Sequence, residues 1–376
     1  MPKKLKKNQW GRRRSSDDQK PPLKLATLLK WVGGVTAILS LIFGLHQITQ
    51  LVSDVRERER GIAELYKVGK SQQGAADYEG AWDSFERAAE TAEAGGQLAK
   101  LTGQLSKERR ELREAQEDLA MEWLENGRIP KGQTLSDFLD ELVPVLARGA
   151  SSAGGVRKAD MLAHVGWAFF LRSRDGQAGL DPEKQYRQAL EIDPANPYAH
   201  AHWGHWTLWR GGKLEAAREH FSAAIASGRA RNYVRRIQLA ALKNLQSDQG
   251  DGEFLAVVNE MRKNQEKIDS QARNDVYTIY FFAFSGSRDD RFQNLLTAVP
   301  ATEQLATFQA LFYDDDFDKG KRPSRESYRA SLLEAAGRRE EALRIWLTVR
   351  QGLPAGDRSG LGDRAAAAIK RLSQRR

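Results

Sequence analysis

The stretch NPYAHAHWGHWTLWRGGKLEAAREHF, residues 196–221, sets His200, His202 and His205 within six positions and adds His220 further on. Five of the six histidines of the chain lie between His164 and His220. Clustered imidazoles are the commonest zinc ligands, and a zinc site takes three or four donors about 2.1 Å from the ion with hydrogen-bonded support behind them. The spacing of His202 and His205 suits two ligands on one helix. Around them, however, there is no HExxH, no carboxylate at matching spacing and no cysteine. A polar and aromatic lining is therefore expected rather than a metal, and a metal-binding protein or hydrolase using histidines 164–220 stays as the alternative.

A second candidate, DDDFDKGKRPSRE at 314–326, puts Asp314, Asp316 and Asp318 at the first, third and fifth positions of a calcium loop. Such a loop needs glycine at its sixth position and glutamate at its twelfth, where this chain has Lys319 and Arg325. It reads as an acidic linker. Neither a GxSxG turn nor a phosphate-cradling glycine loop is present, so the sequence implies no catalytic residue, no metal and no cofactor.

Composition bounds the elements that hold these residues. Apolar residues make up 40% of 376, helix formers abound and alternating β-branched runs are almost absent, which argues for an all-α fold. With no cysteine there is neither a disulfide framework nor a thiol nucleophile. The net charge of +9 resides mainly in residues 1–30, where ten Lys and Arg face Asp17 and Asp18. The remainder is nearly balanced, which argues against a nucleic-acid partner.

Residues 31–52, WVGGVTAILSLIFGLHQITQLV, carry no Asp, Glu, Lys or Arg. As a helix they would cover about 33 Å, against a hydrocarbon core of about 30 Å. The expectation is a basic tail at 1–24 touching lipid, a transmembrane helix at 25–53 and a single-pass membrane protein. By the positive-inside rule its N-terminus is cytoplasmic and its body periplasmic or otherwise extracytoplasmic; a cytosol-facing body is the alternative.

The body carries an internal period. Counting from Ile62, Leu65, Gly69, Ala81, Phe85 and Ala88 fall at positions 4, 8, 20, 24 and 27. From Ala159, Leu162, Gly166 and Phe169 stand at 4, 8 and 11, and after about four extra residues Tyr186, Ala189 and Pro194 at 24, 27 and 32. From Pro197, Trp203 and Gly204 stand at 7 and 8, and one inserted residue later Ala217, Phe221 and Ala224 at 20, 24 and 27. From Pro323, Leu333, Ala342, Trp346, Val349 and Pro354 take 11, 20, 24, 27 and 32. Small residues at 8 and 20 let two helices approach, a bulky one at 24 fills the groove, and proline at 32 ends the second helix.

This pattern resembles the tetratricopeptide repeat, a 34-residue helix-turn-helix. The resemblance implies an α-solenoid after the anchor. An N-terminal lobe at 54–148 holds one repeat (62–95) and a long helix near 98–126, followed by a linker at 149–158. The solenoid at 159–376 comprises units 159–196 and 197–230, degenerate pairs over 231–312, a unit at 323–356 and a cap helix at 359–376. The resemblance also implies a scaffold or adaptor that binds a protein or peptide in a concave groove. The frame nominates Trp167, Phe170, Tyr198, His202, His205 and Trp209 as groove residues and sets His164 beside His202. The asparagine that some of these repeats use at position 9 to clamp a C-terminal carboxylate is replaced by Lys70, Trp167, His205 and Ser331, which argues against that ligand type.

Overall fold

The computed structural model describes residues 23–93, 104–177, 179–285, 290–313, 322–354, 356 and 359–374; the side chains of 23–38, 93, 104–109, 285 and 322 lie outside that description. Every regular element among the described residues is a helix. The chain divides into two compact units, Met1–Leu112 and Arg113–Arg376.

In the smaller unit, α1 (Leu23–Gly74) pairs with α2 (Tyr78–Glu93) across a short turn. Their contact is the one the repeat frame demands. Gly69 lies so close to Phe85 that an added Cβ would sit 2.5 Å from the ring, and Ala81, Phe85 and Ala88 are fully buried. Leu65 is half-buried, whereas Val68 is exposed.

The membrane expectation is corrected here. Among the described residues no helix is long and apolar enough to cross a membrane. α1 continues from the apolar segment without a break into SDVRERERG. Residues 1–22 of the basic tail expected at 1–24 lie outside the described residues, as do residues 98–103 and the acidic segment 314–321.

The unit boundary falls inside α3 (Gln104–Asn126). In the larger unit, Leu119, Trp123 and Leu124 of α3 are buried, Trp123 meeting Phe138 edge-on at 5.0 Å. Phe138 belongs to α4 (Leu135–Ser152), which starts from a capping box between Thr134 and Asp137. Residues 149–158 are not a flexible linker. α4 runs through Ser152 and α5 (Gly155–Arg174) begins three residues on. Gly149 is packed so tightly that a Cβ would stand 2.5 Å from Met161 Sδ.

From α5 onward the hairpins repeat. α5 packs on α6 (Pro182–Ile192), α7 (Pro197–Trp209) on α8 (Leu214–Ala226), and α9 (Arg231–Asn244) on α10 (Asp248–Lys263). Each first helix also meets the next first helix, α5 against α7 and α7 against α9. Neighbours thus bury one another's faces, as in a solenoid. Gly166 approaches Tyr186 to a Cβ distance of 2.5 Å, and Gly204 approaches Phe221 to 3.0 Å. Asn196 starts α7, its side chain accepting from the Ala199 amide at 2.9 Å just before Pro197. Pro194 and Pro354 are exposed beyond the ends of α6 and α15 (Arg339–Gly352), and Ala217, Ala342 and Trp346 are buried.

The degenerate stretch holds five helices rather than two pairs. After α9 and α10 come α11 (Ser270–Ser285), α12 (Asp290–Ala298) and α13 (Ala301–Phe312). Pro300 divides the last two, since it disfavours helical backbone in the residue before it. The final hairpin pairs α14 (Arg322–Ala335) with α15, and α16 (Leu361–Ser373) closes the end by burying Leu361, Ala365, Ala368 and Leu372. It is a tandem of tetratricopeptide-like hairpins.

Candidate functional site

One aromatic cluster of the larger unit, the one that holds the nominated residues, forms where α5, α7 and α9 meet. His202 is fully buried, with Nδ1 against the Ala163 carbonyl at 3.2 Å and Nε2 against the Tyr233 hydroxyl at 2.6 Å. Trp167 stacks on it at 4.7 Å, and His164 meets it edge-on at 5.7 Å. His164 is itself fully buried, its Nδ1 2.7 Å from the Asp160 carbonyl and its Nε2 3.3 Å from the Glu125 carboxylate. His205 packs against Trp167 and Phe170, and its Nδ1 has no hydrogen-bond partner among the described residues. Burial, with a smaller push from His164, holds His202 well below the ordinary imidazole range; burial and nearby Arg174 lower His205 to about 4. His202 and His205 are neutral core residues.

Four of the six nominated groove residues are therefore placed differently from expectation. Trp167, Phe170, His202 and His205 face inward, at 8%, 0%, 0% and 4% exposure. The cause is the adjacent first helix, which covers the face the frame left open: Tyr233 of α9 closes over His202, and α7 covers Trp167 and Phe170. Tyr198 is half-buried, near Glu125 and Asp160, and burial with those carboxylates raises its hydroxyl pKa. Trp209 remains open at 44%. His164 does stand beside His202 as the frame requires. Of the three nominal zinc donors, His164 and His202 are each bonded elsewhere through both nitrogens, and no group of three or more His, Asp or Glu among the described residues is placed to hold a metal.

The accessible part of this aromatic cluster is the C-terminal end of α7. Trp209 stacks on Trp206 at 5.5 Å with planes 15° apart, and Phe170 supports both edge-on from below. The Arg210 guanidinium lies over the Trp206 ring at 5.3 Å. The helix ends there, with Gly211 at positive φ and the Gly212 amide bonded to the Thr207 carbonyl at 2.8 Å, so the ring pair sits on a firmly closed turn. A flat, partly wet aromatic surface flanked by a cation can stack on a planar or apolar group and meet a carboxylate or carbonyl at its edge.

Polar clasps join neighbouring hairpins. Arg229 reaches back to Asp160 at 2.6 Å and Asp193 at 3.2 Å, while Asn196 donates to Asp160 at 2.6 Å. Burial raises the Asp160 pKa despite these partners. Further along, Arg235 is buried and bonds to Glu266, Gln238 and Glu260. A cleft of about 560 Å³ borders it, lined by residues of α8, α9 and α10, among them Arg218, Arg231 and Glu253. Its guanidinium groups are paired: Arg218 grips Glu253 with two bonds, and Arg231 grips Glu266 at 2.7 Å. The sequence reading missed Tyr233, Glu125 and Arg235. For Tyr233 a signal exists, since it recurs 35 residues after Tyr198 and likewise in the first turn of a helix.

No family model and no curated protein sequence matches the chain. Among solved structures, the hypoxic regulator of sterol synthesis Nro1, described as a nuclear import adaptor, is 13% identical, covers 87% of this chain and 94% of its own, and superposes with a TM-score of 0.33. Nro1 of S. pombe in another crystal gives 11%, 84%, 99% and 0.32. The tetratricopeptide domain of P58(IPK) gives 13%, 84%, 99% and 0.21. Superpositions this loose carry nothing about ligand or role.

Proposed function

We propose that this chain is a non-catalytic adaptor that binds a protein or peptide segment on the open aromatic end of α7, centred on Trp206, Trp209 and Arg210. The observation that carries the reading is the stacked tryptophan pair, with Trp209 44% exposed beside the buried rings of Trp167, Phe170 and Tyr233. Tryptophan and arginine are among the residue types enriched at binding hot spots: tryptophan buries much area with only two rotors, and arginine offers a planar fork of donors. Phe170 beneath the pair and the turn at Gly211 hold it in place, so a ligand would meet a surface already ordered. His202 and His205 support the recognition rather than taking part in it: neutral and buried, they set the α5–α7–α9 spacing on which the open end stands.

The test is selection from a random peptide library on the purified chain, followed by titration of selected peptides. Binding should quench or shift tryptophan emission, and Trp209→Ala should weaken it at least tenfold while leaving the helical circular dichroism unchanged. Selected peptides that bind Trp206→Ala and Trp209→Ala as tightly as the unaltered chain would refute this site.

A further inference from the structure

Two histidines are used neither by the core nor by the open aromatic end. His200 on α7 and His220 on α8 point at one another across their hairpin, Nδ1 to Nδ1 at 3.0 Å, with ring centroids 5.3 Å apart. Both are half-buried, within reach of solvent. The proton can be placed. The Pro194 carbonyl, 3.0 Å from His200 Nε2, can only accept, so that nitrogen carries the hydrogen and His200 Nδ1 is bare. His220 Nδ1–H then donates to it. Trp203 stacks on His220 at 4.8 Å and 23°, fixing its plane.

We propose that His200 and His220 form a two-imidazole site for a divalent transition-metal ion, Cu²⁺ in preference to Zn²⁺, with both Nδ1 atoms as ligands and water completing the coordination. The separations fit. Two metal–nitrogen bonds of about 2.1 Å set their nitrogens roughly 3.0 Å apart at the 90° of tetragonal copper and about 3.4 Å apart at a tetrahedral angle, where the ring centres lie near 5.3 Å. The pair thus stands at the copper nitrogen spacing and the tetrahedral ring spacing, and an in-plane turn of each ring aims both lone pairs at a shared point.

The Pro194 carbonyl supplies the outer hydrogen bond that orients a metal-bound histidine and fixes its tautomer. On binding, the His220 proton leaves Nδ1 and Nε2 takes one from water, so both rings stay neutral and no net proton is released. The order of metals follows the general affinity of imidazole sites, which peaks at copper. His164, His202 and His205, the donors the spacing favoured, cannot compete, because they are buried and His164 and His202 are bonded through both nitrogens.

The full chain would be titrated with Cu²⁺ and with Zn²⁺ by calorimetry, and the copper adduct followed by electron paramagnetic resonance. Expected are one Cu²⁺ per chain, hyperfine structure from two imidazole nitrogens, quenching of Trp203 emission, and weaker Zn²⁺ binding. His200→Ala and His220→Ala should each lose on the order of 10- to 100-fold in affinity or more, since even outer-shell partners of metal ligands are worth that much. His46→Ala, on α1, should lose nothing. Should either alanine variant fail to show the parental circular dichroism, His200→Gln and His220→Gln replace it. Absence of saturable Cu²⁺ binding, or equal affinity in the parent and the folded His200 and His220 variants, would overturn the site.

Discussion

Glu266 offers the sharpest test of how the hairpin α9–α10 is fixed. Its side chain is 8% exposed and accepts from Arg231 at 2.7 Å, Arg235 at 3.0 Å and Asn264 at 3.2 Å. Burial by itself would raise its pKa, yet the hydrogen bonds from Arg231, Arg235 and Asn264 outweigh burial and bring it from 4.5 to about 2. A carboxylate depressed in the folded state stabilises the fold above its unfolded pKa, and that contribution is lost as pH falls from about 5 towards 2. The displacement corresponds to about 3 kcal/mol at pH 7, falling to about 1.5 kcal/mol at pH 3. Glu266→Gln removes the charge, keeps the shape and leaves the buried Arg235 with Glu260, which is half exposed. The variant should therefore lose about 3 kcal/mol at pH 7 and roughly half that at pH 3. By urea unfolding followed through circular dichroism, the pH 7 midpoint should drop by about 1 M. A loss equal at the two pH values, or below about 0.5 kcal/mol at pH 7, would refute the assignment of this network as the clamp.

Other outcomes follow from the same packing. Gly166→Ala should destabilise by about 1–3 kcal/mol and more than Gly204→Ala, because its Cβ would meet Tyr186 at 2.5 Å whereas the second would meet Phe221 at 3.0 Å; thermal melts of the two variants rank them. Tyr233→Phe strips the buried His202 Nε2 of its hydroxyl partner and should cost about 1–3 kcal/mol, measured by urea unfolding. Because burial lowers the pKa of His202 and His205, their unfolded forms take up protons first. Stability should thus be full above about pH 6.5 and fall as pH drops below it, and His205→Leu should flatten the decline of Tm between pH 6.5 and 4.5.

How much of this was legible beforehand differs between backbone and side chains. Glycine at 69, 166 and 204, matched to Phe85, Tyr186 and Phe221, could be read from spacing because each pair is a steric rule that repeats. Asn196–Pro197 marked a helix start for the same local reason. The groove was misplaced because openness depends on the next hairpin, and the covering residue, Tyr233, sits in a stretch whose repeat signal is weak. Histidine chemistry misled through the same blindness. Helical spacing grouped His202 with His205, while the pair that meets nitrogen to nitrogen, His200 and His220, comes from two helices folded back on each other. The apolar run before the body looked like a span from its length and lack of charge, yet among the described residues no helix is long and apolar enough to cross a membrane.

The reading of the tandem hairpins as an adaptor is tested most directly by placing a photo-reactive benzoyl-phenylalanine at position 209 and, as a control, at the exposed position 347 of α15, using a library-selected peptide as the ligand. The account predicts a peptide adduct at 209, mapped by mass spectrometry, that is suppressed by Trp206→Ala and does not form at 347. Equal labelling at the two positions, or labelling at 209 untouched by Trp206→Ala, would contradict it.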